Sequence, residues 1–246
     1  MRIPDAAVLR APHLRGARAL FTTRDGGVGE APFDTLNLAL HVGDDEGTVL
    51  QNRARIAQLM GAPLAAVEQV HSARVATLPP QGELPLVQAD ALVTRRRDTA
   101  LMIMVADCLP VLLVDEQTPV IGAAHAGRRG LLDGILENTV RAMEEQGAVP
   151  GRIRASIGPS ICGRCYEVPQ EMQDDAAARL PASSSRTGWG TPALDLRAGA
   201  VQALLAAGLV REGILAEAPC TREDPRFFSY RRAARTGRIA GVIRLQ

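Results

Sequence analysis

The sequence predicts a mixed helix-and-strand domain whose central sheet is covered on both faces. Three observations lead there. The runs ALMIMVA (100–106), VLLVD (111–115) and VIGAAHA (120–126) are short and almost wholly apolar, as strands buried on both faces are. Two other stretches, within 46–60 and 132–143, repeat their apolar residues at helical spacing. At 246 residues and 46% hydrophobic content, the chain can bury a full core, and its length fits one domain over 1–246.

The elements follow in order. Residues 1–43 mix short apolar pieces with Gly and Pro (FTTRDGGVGEAPFDTLNLALHVG), giving a strand, a glycine turn and an irregular segment that ends near His41. Asp44 or Asp45 then caps a helix over 46–60, built on Val49, Leu50, Arg53, Ile56, Ala57 and Met60 and stopped by Gly61 and Pro63. AAVEQVHSARVATL (65–78) reads as a strand with Gln69, His71, Ala73 and Val75 on one face. A turn at Asp107, Cys108 and Pro110 joins the first two apolar runs. After the third, the glycines of AGRRG break the strand. Leu132, Ile135, Leu136, Thr139, Val140 and Met143 then trace a helix towards Gly147, which places His125 just before a helix N-terminus.

RIRASIGPSICGRCYEV (152–168) supplies a strand, a Gly-Pro loop and a short return. The Ser-rich patch from Pro181 to Gly190 reads as a surface loop, and DLRAGAVQALLAAGL as a helix stopped at Gly208. The tail has a strand ILAEAP reaching Cys220, an aromatic and Arg-rich segment RFFSYRR, and a closing strand RIAGVIRL. No internal repeat or low-complexity tract is visible.

Composition removes several classes of function. All 28 basic residues are Arg. Schiff-base chemistry, a pyridoxal phosphate anchor and the phosphate-loop lysine all need a lysine amine, so anion recognition falls to Arg and backbone N–H groups. A net charge of +1 gives no electrostatic case for nucleic acid. Neither a membrane span nor a signal peptide is expected, and four unevenly spaced cysteines suit a reducing, cytoplasmic compartment.

Chemistry concentrates in three apolar segments that each deliver one soft or imidazole donor: His71 in EQVHSARV, Cys108 in IMVADCLPVLLVD and His125 in VIGAAHAGRRG. This donor mixture suits zinc rather than magnesium or calcium, and three protein ligands leave a fourth position open, as in catalytic zinc sites. The same residue types also occur as a buried Cys and strand-end His with no metal role. Cys162 and Cys165 form CGRC, but a zinc ribbon needs a second such pair and none is present in the sequence. Arg128 and Arg129 beside a helix start, and Arg231 and Arg232 beside Phe227, Phe228 and Tyr230, are candidate anion clamps as well as ordinary solvated or packing residues.

With these residues set out, a resemblance emerges. FTTRDGGVG, TLNLALHVGDD, EQVHSARV, ADALVT, VADCLPVLLVD, GAAHAGRRG, LDLRA and CTREDPRFFSYRRAARTGRIAGVI, in this order and over essentially the whole chain, resemble the YfiH-like family of laccase-domain or polyphenol oxidase proteins. The resemblance implies an α+β fold with mixed sheets layered between helices in a single YfiH-like domain. It also implies zinc on His71, Cys108 and His125, and purine nucleoside phosphorylase activity with adenosine, inosine, S-methyl-5′-thioadenosine and phosphate as small-molecule partners, together with adenosine deaminase activity. Asn37, Arg53, Gln69, Arg128 and Arg231 become candidate substrate-binding residues, and Asp107 and Cys108 candidate catalytic ones. One departure stands out: where the family usually reads AHAGWRG, this chain carries Arg128.

Alternatives share the same residues. Some bacterial members of the family are peptidoglycan-editing factors, which corresponds to amide hydrolysis with Cys108 as nucleophile and His71 or His125 as its base. Copper(II) can occupy the same ligands, giving a copper-dependent oxidase. Four His in all cannot build a multicopper cluster, since one blue copper site already takes two His and a Cys. A non-enzymatic metal module would require a fourth protein ligand such as Cys162, Cys165 or Cys220. The deaminase signature H-x-E with P-C-x-x-C is absent, so any deamination uses another scaffold.

Overall fold

Four layers, helix on sheet on sheet on helices, follow from how the apolar strands alternate their side chains. The computed structural model describes residues 3–82 and 86–246. Among these, the first half contains β1 (Val8–Arg10), β2 (Ala17–Thr22), α1 (Glu46–Met60), β3 (Leu64–Ala65), β4 (Val75–Thr77), β5 (Ala91–Thr94), β6 (Ala100–Val105), β7 (Leu109–Asp115) and β8 (Val120–Ala126). The second half adds α2 (Arg128–Leu132), α3 (Ile135–Glu145), β9 (Arg154–Ile157), α4 (Gln170–Arg179), β10 (Ser184–Arg186), β11 (Pro192–Leu194), α5 (Leu196–Ala206), β12 (Ile214–Leu215) and β13 (Ile239–Leu245). The α+β class expected from the sequence is what the chain adopts.

A five-stranded sheet runs β1-β2-β13-β6-β3 and a six-stranded sheet runs β12-β9-β7-β8-β5-β4, with β10-β11 a separate hairpin. Both large sheets are mixed: β3 joins β6 and β4 joins β5 in parallel, whereas β7 pairs β8 and β9 antiparallel. Alternation along single strands sets the layers. In β6, Met102 and Met104 pack with Val242, Ile56 and Met60 beneath α1, while Leu101 and Ile103 turn to the other sheet. In β7, Leu112 and Val114 meet Leu101, Ile103 and Ile243 between the sheets, while Val111 and Leu113 face Ile135, Val140 and Met143 of α3. These side chains are almost fully buried. Truncating any such Leu to Ala costs about 2–5 kcal/mol, because the rigid surroundings collapse only partly into the void.

The helix over 46–60 is confirmed. Asp45 is its N-cap, accepting from Thr48 N at 2.7 Å, and Gly61 closes it in the left-handed conformation at φ 70°. Three expectations need correction. The strand expected over 65–78 survives only as β3 and β4, because the N–H groups of Val70, His71 and Ser72 turn onto the Asp90 carboxylate instead of a neighbouring strand. Within the Ser-rich patch, Ser184–Arg186 pairs with Pro192–Leu194 as a hairpin rather than a free loop. The strand expected over 214–219 is two residues long, and beyond it Arg197 gathers the carbonyls of Ala218 and Pro219. Helix α4 carried no sequence signal, since its buried residues are only Gln173 and Ala176.

Candidate metal centre and its cavity

Three separate segments bring the donors together. His71 sits in the loop between β3 and β4 with φ 59°, a left-handed conformation that swings its ring out of any strand alternation. Cys108 lies in the turn where the chain leaves β6 in one sheet and enters β7 in the other, just after Asp107 at φ 90°. His125 is buried on β8, opposite Pro110 of β7. The donor atoms of the three residues lie within 4.8 Å of one another. Cys108 Sγ is 3.8 Å from His71 Nε2, and the two imidazole rings meet edge-on with centroids 4.7 Å apart. Tetrahedral zinc would hold a thiolate sulfur and an imidazole nitrogen about 3.6 Å apart, so the donor set fits. Among the described residues no further His, Cys, Asp or Glu joins this group.

Asp90 organises the centre from behind. It is fully buried, and its Oδ1 lies 2.8 Å from His125 Nδ1, which leaves His125 Nε2 as the free donor. The same carboxylate accepts from the N–H groups of His71 at 2.9 Å and Ser72 at 2.6 Å, and from the Ser72 hydroxyl at 2.7 Å. Burial alone would raise the Asp90 pKa. The hydrogen bonds from His125 and Ser72 win and hold it at about 2. Burial likewise opposes a Cys108 thiolate, but the charge of His125 and hydrogen bonding with both imidazoles bring Cys108 down to about 6. Against its own burial, the Cys108 thiolate and Asp90 lift His125 to about 9.

Gly127 closes the front of the site. A Cβ placed there would stand 2.8 Å from His71 Cδ2 and 3.1 Å from Cys108 Sγ, so no side chain fits without moving a donor. Glycine after AHA is therefore a packing requirement of the centre.

The donors open into a cavity of about 380 Å³. Of the residues singled out from sequence, Gln69, Asp107, Arg128 and Arg231 line it with the three donors. Gln69 does so with its amide spent on β6: it donates to Met104 O and accepts from Met104 N, both at 2.8 Å. Asp107 accepts from the Thr221 hydroxyl and from Arg231 N, each at 2.6 Å. Arg231 lays its guanidinium over the Tyr166 ring, 5.1 Å from the centroid.

Asn37 and Arg53 are not among the residues that line the cavity. Asn37 is fully buried, its amide taken up by Ala39, Asp44 and Arg238 N. Arg53 donates to Leu38 O at 2.8 Å and supports the wall from behind. Sequence reasoning missed His41, Tyr166, Tyr230 and Arg238 on the cavity wall, and Asp90 behind it. An acid leading directly into the apolar strand ALVT was a readable signal for Asp90; the others carried none. Burial, then the charges of Arg238 and Arg53, push the His41 pKa down, so its imidazole is neutral near pH 7.

Cys162, Cys165 and Cys220 do not reach the three-donor centre. They gather with Glu223 in a group of their own, donor atoms within 4.8 Å of one another. The closed, four-ligand version of the first site is thus not what these thiols build.

The family described as multi-copper polyphenol oxidoreductase laccase matches residues 18–246. The chain belongs to this laccase-domain, YfiH-like family. This YfiH-like chain is 49% identical over 237 residues to a purine nucleoside phosphorylase of Streptomyces coelicolor, spanning 94% of this chain and 96% of that protein. It is 41% identical to a purine nucleoside phosphorylase of Deinococcus radiodurans, over 100% of this chain and 95% of that one. Among solved structures, the YfiH protein of Bacillus licheniformis superposes with a TM-score of 0.91 at 31% identity, covering 100% of this chain and 98% of the other. A Neisseria meningitidis protein gives a TM-score of 0.88 at 35% identity, covering 98% and 99%.

Proposed function

We propose that this protein is a zinc-dependent purine nucleoside phosphorylase acting on adenosine, inosine and S-methyl-5′-thioadenosine, with adenosine deamination as a second activity. One observation carries the reading: the three-donor centre and three arginines, Arg128, Arg231 and Arg238, line the same cavity. The full-length similarity to proteins named purine nucleoside phosphorylase supports it. No described helix is long and apolar enough to cross a membrane, and all four cysteines are free thiols, in keeping with a cytoplasmic setting.

In phosphorolysis a phosphate oxygen bonds to C1′ as the bond from C1′ to the purine nitrogen breaks, and the purine leaves with the electron pair and gains a proton. Arginine forks bind phosphate bidentately and orient it for that attack. Arg231 is fixed for this role by Glu167 O at 3.0 Å and by the Tyr166 ring. Neutral His41 suits the uncharged edge of a purine rather than the phosphate. Asp107 acts by position: through its two short hydrogen bonds it fixes the Cys108 turn to Thr221 and Arg231. Zinc on His71, Cys108 and His125 would act as a Lewis acid towards a substrate oxygen or a water.

The test is to quantify zinc and copper in the purified protein, then assay adenosine and inosine with and without phosphate. Phosphate-dependent release of ribose 1-phosphate, lost in Cys108→Ala, is expected. Absence of nucleoside turnover in zinc-loaded protein would overturn the assignment.

A second reading has its own observation. Asp90, His125 and Cys108 stand in the order acid, imidazole, thiol, and the thiol is lowered to about 6, as in cysteine hydrolases. On that reading Cys108 attacks an amide without metal, as peptidoglycan editing would require. Rapid alkylation of Cys108 that zinc does not slow, with amide hydrolysis in metal-free protein, would favour it.

A further inference from the structure

A second metal-ligand cluster lies outside the cavity. The CGRC pair had no partner in the sequence because its partner is not a second Cys-x-x-Cys. In the fold, Cys162 and Cys165 face Cys220 and Glu223, a Cys-x-x-Glu, with all four donor atoms within 4.8 Å of one another. We propose that Cys162, Cys165, Cys220 and Glu223 form a second, structural zinc site that braces the wall of the catalytic cavity.

The donor set suits the ion. Three thiolates and one carboxylate fill a tetrahedron and leave no open position, the mark of structural zinc. Tetrahedral zinc sets sulfurs about 3.8 Å apart, so four donors gathered this closely need only a small contraction. Glu223 Oε2 already lies 4.0 Å from Cys162 Sγ. Its competing partner is Arg164 at 3.9 Å, an exposed and therefore weak pair. Disulfide formation accounts for the cluster poorly, since three thiols leave one over while four donors leave none. All three are free thiols.

Backbone hydrogen bonds hold the scaffold around the cluster. The turn Cys162–Cys165 is closed by Cys165 N and Tyr166 N donating to Cys162 O at 2.9 and 3.0 Å. The backbone N–H of Cys162 donates to Cys220 Sγ at 3.4 Å, as N–H groups do around metal-bound thiolates. A bridge between Ser160 and Cys220 joins the two loops, and Arg197 ties them again through Ser160 O and Pro219 O, both at 2.7 Å. The cluster borders the catalytic cavity directly. Ile161 and Tyr166, flanking the CGRC turn, line the cavity, and Thr221, next to Cys220, holds Asp107 beside Cys108.

The experiment counts metal in protein reloaded with zinc under reducing conditions. Wild type is expected to hold two equivalents, and His71→Ala/Cys108→Ala to keep one. Cys162→Ser/Cys165→Ser should also keep one, with a lowered Tm. The milder Glu223→Gln guards against misfolding: it should weaken retention of one equivalent against a chelator while the other stays. Cobalt(II) loaded into His71→Ala/Cys108→Ala should show intense sulfur-to-metal charge-transfer absorption, lost in a further Cys220→Ser change. Complete loss of metal in His71→Ala/Cys108→Ala, with wild type holding one equivalent or two, would overturn the proposal. Both readouts are independent of what the first centre catalyses.

Discussion

Asp90 and His125 are joined twice, side chain to side chain and backbone to backbone. Oδ1 of Asp90 meets Nδ1 of His125 at 2.8 Å, and His125 N donates to Asp90 O at 2.7 Å. One contact fixes the ring and the other fixes the strand that carries it. Such a carboxylate behind a metal-binding imidazole sets the tautomer and raises ligand basicity. Asp90→Asn is expected to lower zinc affinity about 10–100-fold, read by chelator competition, with the fold retained. An unchanged affinity would show that the ring is held by other contacts.

Asp90 also gives the protein a defined acid sensitivity. Its folded pKa of about 2 lies below the ordinary 3.8, so its stabilising contribution is complete above that value and disappears as pH falls through 2. The shift corresponds to about 2 kcal/mol. Urea unfolding of metal-free protein from pH 2 to 6, below the range where His125 titrates, should show wild type exceeding Asp90→Asn most above pH 4, the gap narrowing towards pH 2. A gap that does not narrow would assign the difference to packing instead.

Gly127→Ala tests the closeness of the centre. The added methyl would stand 2.8 Å from the His71 ring, so a donor must shift while the buried layers do not. Zinc retention should fall sharply with Tm of the metal-free protein nearly unchanged. Equal losses in both would mean that Gly127 serves the fold rather than the donors.

Arg231 and Arg128 divide by how tightly they are held. Arg231 is fixed by Glu167 O and the Tyr166 ring, whereas Arg128 starts α2 and faces the cavity. Losing a charged hydrogen-bond partner of phosphate costs about 1.5–3 kcal/mol, so Arg231→Ala should raise the KM for phosphate about 10–100-fold. Arg128→Trp, which restores the residue usual in the resembling family, should shift nucleoside preference more than phosphate affinity. An unchanged phosphate KM in Arg231→Ala would move the anion subsite to Arg128 and Arg238.

The layered architecture was legible because it is written in local pattern, whereas the three donors stood out as a metal site only through the family resemblance. Uninterrupted apolar runs mark β6, β7 and β8, and two helices show their stripes. What stayed hidden depends on distant pairing. His71 looks like a strand residue until a buried acid nineteen positions away takes the backbone hydrogen bonds of its loop. Asn37 looks like a ligand until Arg238 N, 201 positions away, takes its carbonyl oxygen. CGRC looked unpartnered because its partner mixes a thiol with a carboxylate across 58 residues.

The middle strand of the five-stranded sheet is the one latest in sequence of its five. β13 lies between β2 and β6, pairing antiparallel with both, so residues 17–22 and 100–105 cannot be joined until residues 239–245 have been synthesised. Pairings this distant in sequence are slow to form. Until then the facing edges of β2 and β6 have no partner strand, and Arg231 and Arg238, which reach the cavity from the same late segment, arrive with the strand that joins them. The cavity wall is thus completed only with β13, and a nascent chain stalled before residue 239 is a natural client for chaperones that shield exposed strand edges.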